Sequence, residues 1–377
     1  MSVPVPELAD RASACADRLR AADRVLLASH IDADGLTSAA VATTALQRAG
    51  LPVETVFKKQ LDADEIASIA AREHETVLFT DFGSGQLDVI SEHVAAGDFE
   101  AVIADHHQPS DPADCDPDAV SDTDGYADFE CHCNPLLVGV NGASELSGAG
   151  AAYVLARALE PDGGDNRDLA ALAVVGAVGD MQDSDGELVG ANAAIVRDGV
   201  DAGVIETRTD LDLYGRQTRP LPKLLEYASD VTIPGVSNDE AGAISFLADL
   251  DIDAKRDGEW RRWVDLDAAE RQTLASGLMR RAVASGVPAD RIESLVGTSY
   301  TLVDEEAGTE LRDVSEFSTL LNATARYDRA DVGLAVCLGD RVDALAEARR
   351  LLRTHRKNLS EGLQWVKTEG VTHEENL

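Results

Sequence analysis

The sequence predicts an α/β protein whose first domain is a doubly wound parallel sheet. Three observations carry this. Within the first 110 residues, short β-type apolar runs alternate with amphipathic helical patterns, the rhythm of βαβ units. All but one of those runs end in Asp or His, where open parallel sheets place their ligands. After about Asp201 the pattern turns mostly helical, so a second region of different architecture follows.

Strands are expected at residues 24–29, 53–57, 76–80 and 101–104, each a compact run of apolar and β-branched residues. Helices between them are expected at 35–47, 62–74 and 86–96, where apolar residues recur at three- and four-residue spacing. Residues 110–128 are polar and acidic and read as a loop or insertion, followed by a short apolar run at 136–140. Two helical patterns, 149–159 and 168–178, complete a first domain at residues 1–200. Pro220, Pro222 and Pro234 punctuate a helical linker or insertion at 201–290. The last part, 291–377, reads as a smaller, incomplete α/β domain with a strand at 299–303, a helix at 316–325 and a long Arg-rich helix at 342–367.

The formal net charge is −36, spread along the whole chain, and only six lysines occur. This balance suits a halophile's protein, because in molar salt the Debye length falls to about 3 Å and self-repulsion is screened. Acidity of this kind does not exclude DNA or RNA. It means that binding must rest on metal ions, a few placed cations and stacking rather than on a basic face. No run approaches a membrane span of roughly 20 apolar residues and the start lacks a signal-peptide pattern, so a cytoplasmic location with no membrane partner is expected. Five irregularly spaced cysteines fit a reducing compartment, and Cys131-His132-Cys133 is too compact to wrap one tetrahedral zinc ion.

Four separated segments carry the chemistry. They are His30-Ile31-Asp32-Ala33-Asp34-Gly35 after the first strand, Asp81 after the third, Asp105-His106-His107 after the fourth, and Gly179-Asp180 at the end of an apolar helix. Packing so many carboxylates at one sheet end is costly unless cations neutralise them, which argues for a metal centre. An EF-hand frame fails, since it would put His30 at position 1 and Val41 at position 12, where acids are required. A haloacid-dehalogenase reading would make the first Asp of Asp32-Ala33-Asp34 a nucleophile, but leaves Asp105-His106-His107 without a purpose.

In that order and spacing the four segments resemble the motifs of the DHH phosphoesterase superfamily over roughly residues 20–185. Ser147-Gly148-Ala149-Gly150 is similar to a helix start of that family. Leu321-Asn322-Ala323-Thr324-Ala325-Arg326 resembles the Asn-Ala-x-x-Arg segment of RecJ-type nucleases, including the archaeal GINS-associated nuclease. The family II pyrophosphatases differ in carrying a His where this chain has Ala28. The resemblance implies two divalent ions, manganese first and magnesium as the alternative. Asp32 and Asp81, with His30, would hold one; Asp34, Asp81, His106 and Asp180 would hold the other, with Asp81 bridging. It further implies that His107 touches the scissile phosphate, that Asp105 orients the histidines, and that Arg326 clamps phosphate. Asn134 and Ser147 are candidate substrate contacts, with a turn residue and a helix N-cap as the plain alternatives.

The implied activity is end-on hydrolysis of single-stranded DNA or RNA in repair or replication. A hydrolase of oligonucleotides or cyclic dinucleotides and a non-catalytic replisome scaffold that binds GINS stand as alternatives. One departure is plain: the Gly-Gly-Gly-His motif with which RecJ-type proteins grip nucleic acid does not occur.

Overall fold

The computed structural model describes residues 4–110, 129–183, 186–228 and 231–370. After a short turn at Pro6–Leu8 the chain forms α1 (Ala9–Arg20), β1 (Val25–His30), α2 (Ala33–Arg48), β2 (Val53–Lys58), α3 (Ala63–Ala70), β3 (Thr76–Thr80), α4 (Leu87–Ala96) and β4 (Glu100–Ala104). A two-residue strand, β5 (His132–Cys133), precedes α5 (Gly148–Ala158), α6 (Ala170–Gly179) and α7 (Gly190–Asp201).

The five strands form one parallel sheet in the order β2-β1-β3-β4-β5. Side-chain alternation divides it between two cores. Val25 and Leu27 face α1, α2, α5 and α6, while Leu26, Ala28, Val77 and Phe79 face Ile66 and Ile69 of α3 and Leu87 and Ile90 of α4. Strand order reverses between β1 and β3, and such a switch point opens a crevice at the carboxyl ends of the two strands.

Beyond α7 the expectation of a mostly helical region needs one correction. Strand β6 (Ile205–Leu211) leads out of the first core and pairs antiparallel with β9 (Val296–Leu302), Leu211 standing opposite Val296. Between them α8 (Leu221–Glu226), α9 (Glu240–Ala248), a two-strand ribbon of β7 (Lys255–Arg256) and β8 (Glu259–Trp260), α10 (Ala268–Ala284) and α11 (Ala289–Glu293) surround a separate core that includes Leu221, Leu225, Phe246, Trp263, Leu274 and Leu278. The chain then returns as α12 (Val314–Ala325), α13 (Ala330–Cys337) and α14 (Asp343–Glu369). Phe317, Leu320, Leu321, Val336, Ala348 and Leu352 of these helices complete the first core against α2 and α6. The expected loop at 110–128 falls almost wholly outside the described residues.

Candidate metal centre

The crevice between β1 and β3 is where the singled-out acids meet. Asp32 caps α2, its Oδ1 accepting from the Gly35 amide at 2.9 Å, which leaves Oδ2 3.1 Å from His30 Nδ1. Asp34, in the first turn of the helix, is buried against the start of α5, where its two oxygens accept from the Gly148 and Ala149 amides at 2.7 and 2.9 Å. A side chain at Gly148 would collide with Asp81, and one at Gly176 of α6 would collide with Asp34, so these glycines let two helices approach the carboxylates. Asp81 follows β3 with φ +58°, a left-handed conformation rare outside glycine that turns its side chain back into the crevice.

Asp81 stands at the centre of the constellation. Its Oδ1 lies 3.3 Å from His106 Nε2 and its Oδ2 lies 3.5 Å from His30 Nδ1. His106 Nε2 is also 3.7 Å from Asp34, while its Nδ1 lies 3.8 Å from Asp180, the residue that ends α6. Three groups result among the described residues, His30-Asp32-Asp81, Asp34-His106-Asp180 and Asp81-Asp105-His106-His107, the last sharing Asp81 with the first and His106 with the second; within each, donor atoms lie within 4.8 Å of one another. Neighbouring ligands of an octahedral ion stand ~3 Å apart, given metal–oxygen distances of about 2.1 Å. The donor set therefore fits divalent cations, and its oxygen-plus-imidazole chemistry suits manganese or magnesium over a thiophilic metal.

Electrostatics point the same way. Burial, with the charges of Asp81 and Asp180, drives the Asp34 carboxyl well above its ordinary range, and burial also raises Asp180. Burial opposes the charged form of His106, yet Asp81 and Asp34 carry it up to about 11, and Asp32 and Asp81 carry His30 up to about 10. Burial likewise works against Asp81, whose bonds from His106 and His30 hold it below the usual range. Protons thus neutralise a cluster that contains no guanidinium or ammonium, and cations can take their place.

Backbone groups fix the tautomer of the key imidazole. His106 Nδ1 donates to the Gly142 carbonyl at 2.7 Å, which leaves Nε2 and its lone pair for a metal. Gln182 holds the same carbonyl at 2.8 Å and the Asp180 carboxylate at 2.9 Å, and is itself held by Asn192 at 2.6 Å. Gly142 carries no sequence signal, and Gln182 only its nearness to Asp180.

A second layer lies behind. Asp105 is fully buried and accepts from the Ser84 amide at 2.9 Å, the His106 amide at 2.7 Å and His107 Nδ1 at 2.8 Å. Burial would raise its carboxyl, but His107 holds it far below the usual range, and His107 is raised in turn. His107 keeps a side chain 55% exposed, with its Nε2 free of that bond. Asn134 and Ser147, expected as substrate contacts, are instead fully buried. Asn134 donates to the His107 carbonyl and the Ser84 hydroxyl at 2.9 Å, and Ser147 caps α5 by accepting from the Gly150 amide at 3.2 Å. They position the histidine loop and the helix and offer no surface to a ligand. Arg326 is exposed at the end of α12, whereas Asn322 of the same segment accepts from the Ala33 amide at 3.0 Å and so braces the Asp32-Ala33-Asp34 turn. Cys131 and Cys133 point into the core on one face of β5 while His132 bonds Ser84 on the other, so the three do not converge on one ion.

Comparison with known proteins agrees with this construction. Residues 24–177 match the DHH family N-terminal domain, and residues 213–296 match the DHH-CID domain. An uncharacterized protein of Methanocaldococcus jannaschii is 27% identical over 92% of this chain and 71% of its own length. The fold is shared with RecJ from Thermus thermophilus in complex with Mn2+ (TM-score 0.52, 20% identity, 96% of this chain). It is shared also with CDC45 from Entamoeba histolytica (TM-score 0.60, 12% identity, 93% of this chain and 71% of that one). The chain spans 40% of the Thermus RecJ. The domain matches identify DHH-family segments in this chain, and its fold is one that RecJ and CDC45 share.

Proposed function

We propose that this chain is a two-metal phosphodiesterase that removes nucleotides from an end of single-stranded DNA or RNA. The observation that carries the reading is Asp81, one oxygen toward each of two acid–imidazole sets in a crevice at the ends of parallel strands. Asp32, Asp81 and His30 would hold one ion, and Asp34, Asp81, His106 and Asp180 the other. When bound, such ions activate water and neutralise charge that develops on phosphate. The chain's own residues do the rest. Gly142 holds His106 in its ligating tautomer. Asp105 keeps a proton on His107 Nδ1 and aims the exposed imidazole across the mouth of the crevice, where it can donate to a phosphate oxygen. Manganese is the ion of first choice, in line with the Mn2+ complex of the Thermus relative.

The residues fall into a phosphoesterase domain at 1–200, an inserted helical unit at 201–290 and a C-terminal part at 291–377. A second reading, a replisome scaffold that binds GINS, draws on the fold shared with CDC45. The test is release of nucleotides from 5′- and 3′-labelled single strands in molar KCl with manganese. Wild type should degrade them from one end and Asp81→Ala should lose about a thousandfold or more in rate, as removal of a principal charge-stabilising group does. An inert wild type that still captures GINS would replace the nuclease reading with the scaffold.

A further inference from the structure

We infer that Lys59 binds a non-scissile backbone phosphate of the strand being cleaved, and that Asp328 occupies its ammonium until that strand arrives. The inference rests on the single-strand reading above and gives it an exit path. Three of the four long strands of the sheet end in acids or imidazoles; β2 ends in Lys58-Lys59. Lys58 stands opposite His30 in the parallel ladder, so Lys59 follows directly beside the Ile31-Asp32 turn.

Two cavities meet there. One, of about 230 Å³, reaches from His30, Asp81 and His107 to Lys58, Lys59 and Gln60. The other, of about 620 Å³, begins at the same Lys58, Lys59 and Gln60 and continues past Ile31 and Phe57 to Asp328. A chain molecule whose scissile phosphate sits at Asp81 and His107 can therefore continue over the end of β2, where Lys58 and Lys59 are the ammoniums on that path and Asp62, Glu65 and Asp328 the carboxylates. In a protein of net charge −36 with six lysines, a polyanion meets few such groups.

The two lysines differ. Lys58 is committed to the Glu65 carboxylate and to the Ser68 hydroxyl at 3.1 Å. Lys59 pairs with Asp328, and the two side chains are 61% and 67% exposed. An ion pair this open adds little to stability, so exchanging the carboxylate for a phosphate costs the fold little. Asp328 itself sits in the tight turn between α12 and α13, in a left-handed conformation at φ +56°. A purely structural tie between that turn and the sheet edge makes a different prediction: Lys59→Ala and Asp328→Asn would then act alike, on stability.

The experiment measures binding of a fluorescein-labelled phosphorothioate single strand by anisotropy, with Ca2+ in place of manganese, for wild type, Lys59→Ala, Lys59→Arg and Asp328→Asn. Lys59→Ala should weaken binding about three- to tenfold, Lys59→Arg should restore most of it, and Asp328→Asn should tighten it about twofold, the scale of one exposed charge-assisted contact. Hydrolysis of a dinucleoside monophosphate, whose only phosphate is the scissile one, should keep its KM in all three variants. Strand binding unchanged in Lys59→Ala, or an equal KM loss on the dinucleoside, overturns the inference and leaves the nuclease reading standing. A wild type that binds no single strand overturns both.

Discussion

Among the described residues, two clusters of largely buried carboxylates differ in what stands opposite them. At the seam between the two cores, Asp313 and Glu316 at the start of α12 face Arg216, which donates to Asp313 at 2.8 Å and to the Leu211 carbonyl at 2.9 Å. In the crevice between β1 and β3, Asp34, Asp81 and Asp180 face the imidazoles of His30 and His106, with the Gly148 and Ala149 amides on Asp34 and the Gln182 amide on Asp180. Where a permanent contact is needed the chain supplies a guanidinium of its own. In the crevice it supplies oxygen and imidazole donors that could hold cations. The difference separates an acid cluster tied by a guanidinium from one whose donors could hold cations.

The contrast can be broken at either end. Arg216→Met should be the most damaging change, costing about 3–5 kcal/mol in urea unfolding because Asp313 is left buried without its partner. In the metal-free protein Asp81→Ala should cost far less, and an equal loss would erase the distinction. Next in size, manganese at 100 times its Kd should stabilise the wild type by about 2.7 kcal/mol, read as a rise in Tm. That gain should vanish in Asp81→Ala and persist in Glu316→Gln. The smallest effect sharpens the seam itself. Burial and the charge of Asp313 raise the Glu316 carboxyl to about 7. For an acid whose folded value lies above its unfolded one, the stabilisation is complete below the unfolded value and is lost as pH rises through the folded one. Between about pH 5 and 8 this group should therefore remove about 2 kcal/mol, and Glu316→Gln, which can keep the bonds to Gln217 and Thr218, should flatten that slope.

Much of the site was legible because its residues sit at strand ends, where a period-2 apolar run stops abruptly at a charged group. His30, Asp32, Asp81 and His106 are of this kind. Asp34 was legible by spacing, two residues on at the helix start. What could not be read is backbone: the amides of Gly148 and Ala149 on Asp34, and the Gly142 carbonyl that sets the His106 tautomer, have no side-chain signature. Asn134 reads in sequence as a substrate contact or a turn residue, and its burial with hydrogen bonds to His107 and Ser84 fits the second. Among the fold elements, β5 escaped because two residues carry no period, and β6 because Glu206, Thr207, Arg208 and Thr209 are all exposed, so its alternation is hidden.

The brace that Asn322 places on the Ala33 amide has a consequence for the timing of synthesis. Every proposed ligand lies at or before residue 180, yet the turn that carries Asp32 and Asp34 is clamped by a residue 289 positions further along the chain. A nascent chain that has already made all these donors still lacks α12 and α13 over α2 and α6, and α14 behind them. The crevice is thus finished last, and a chain stalled before Asn322 carries the ligands without the clamp.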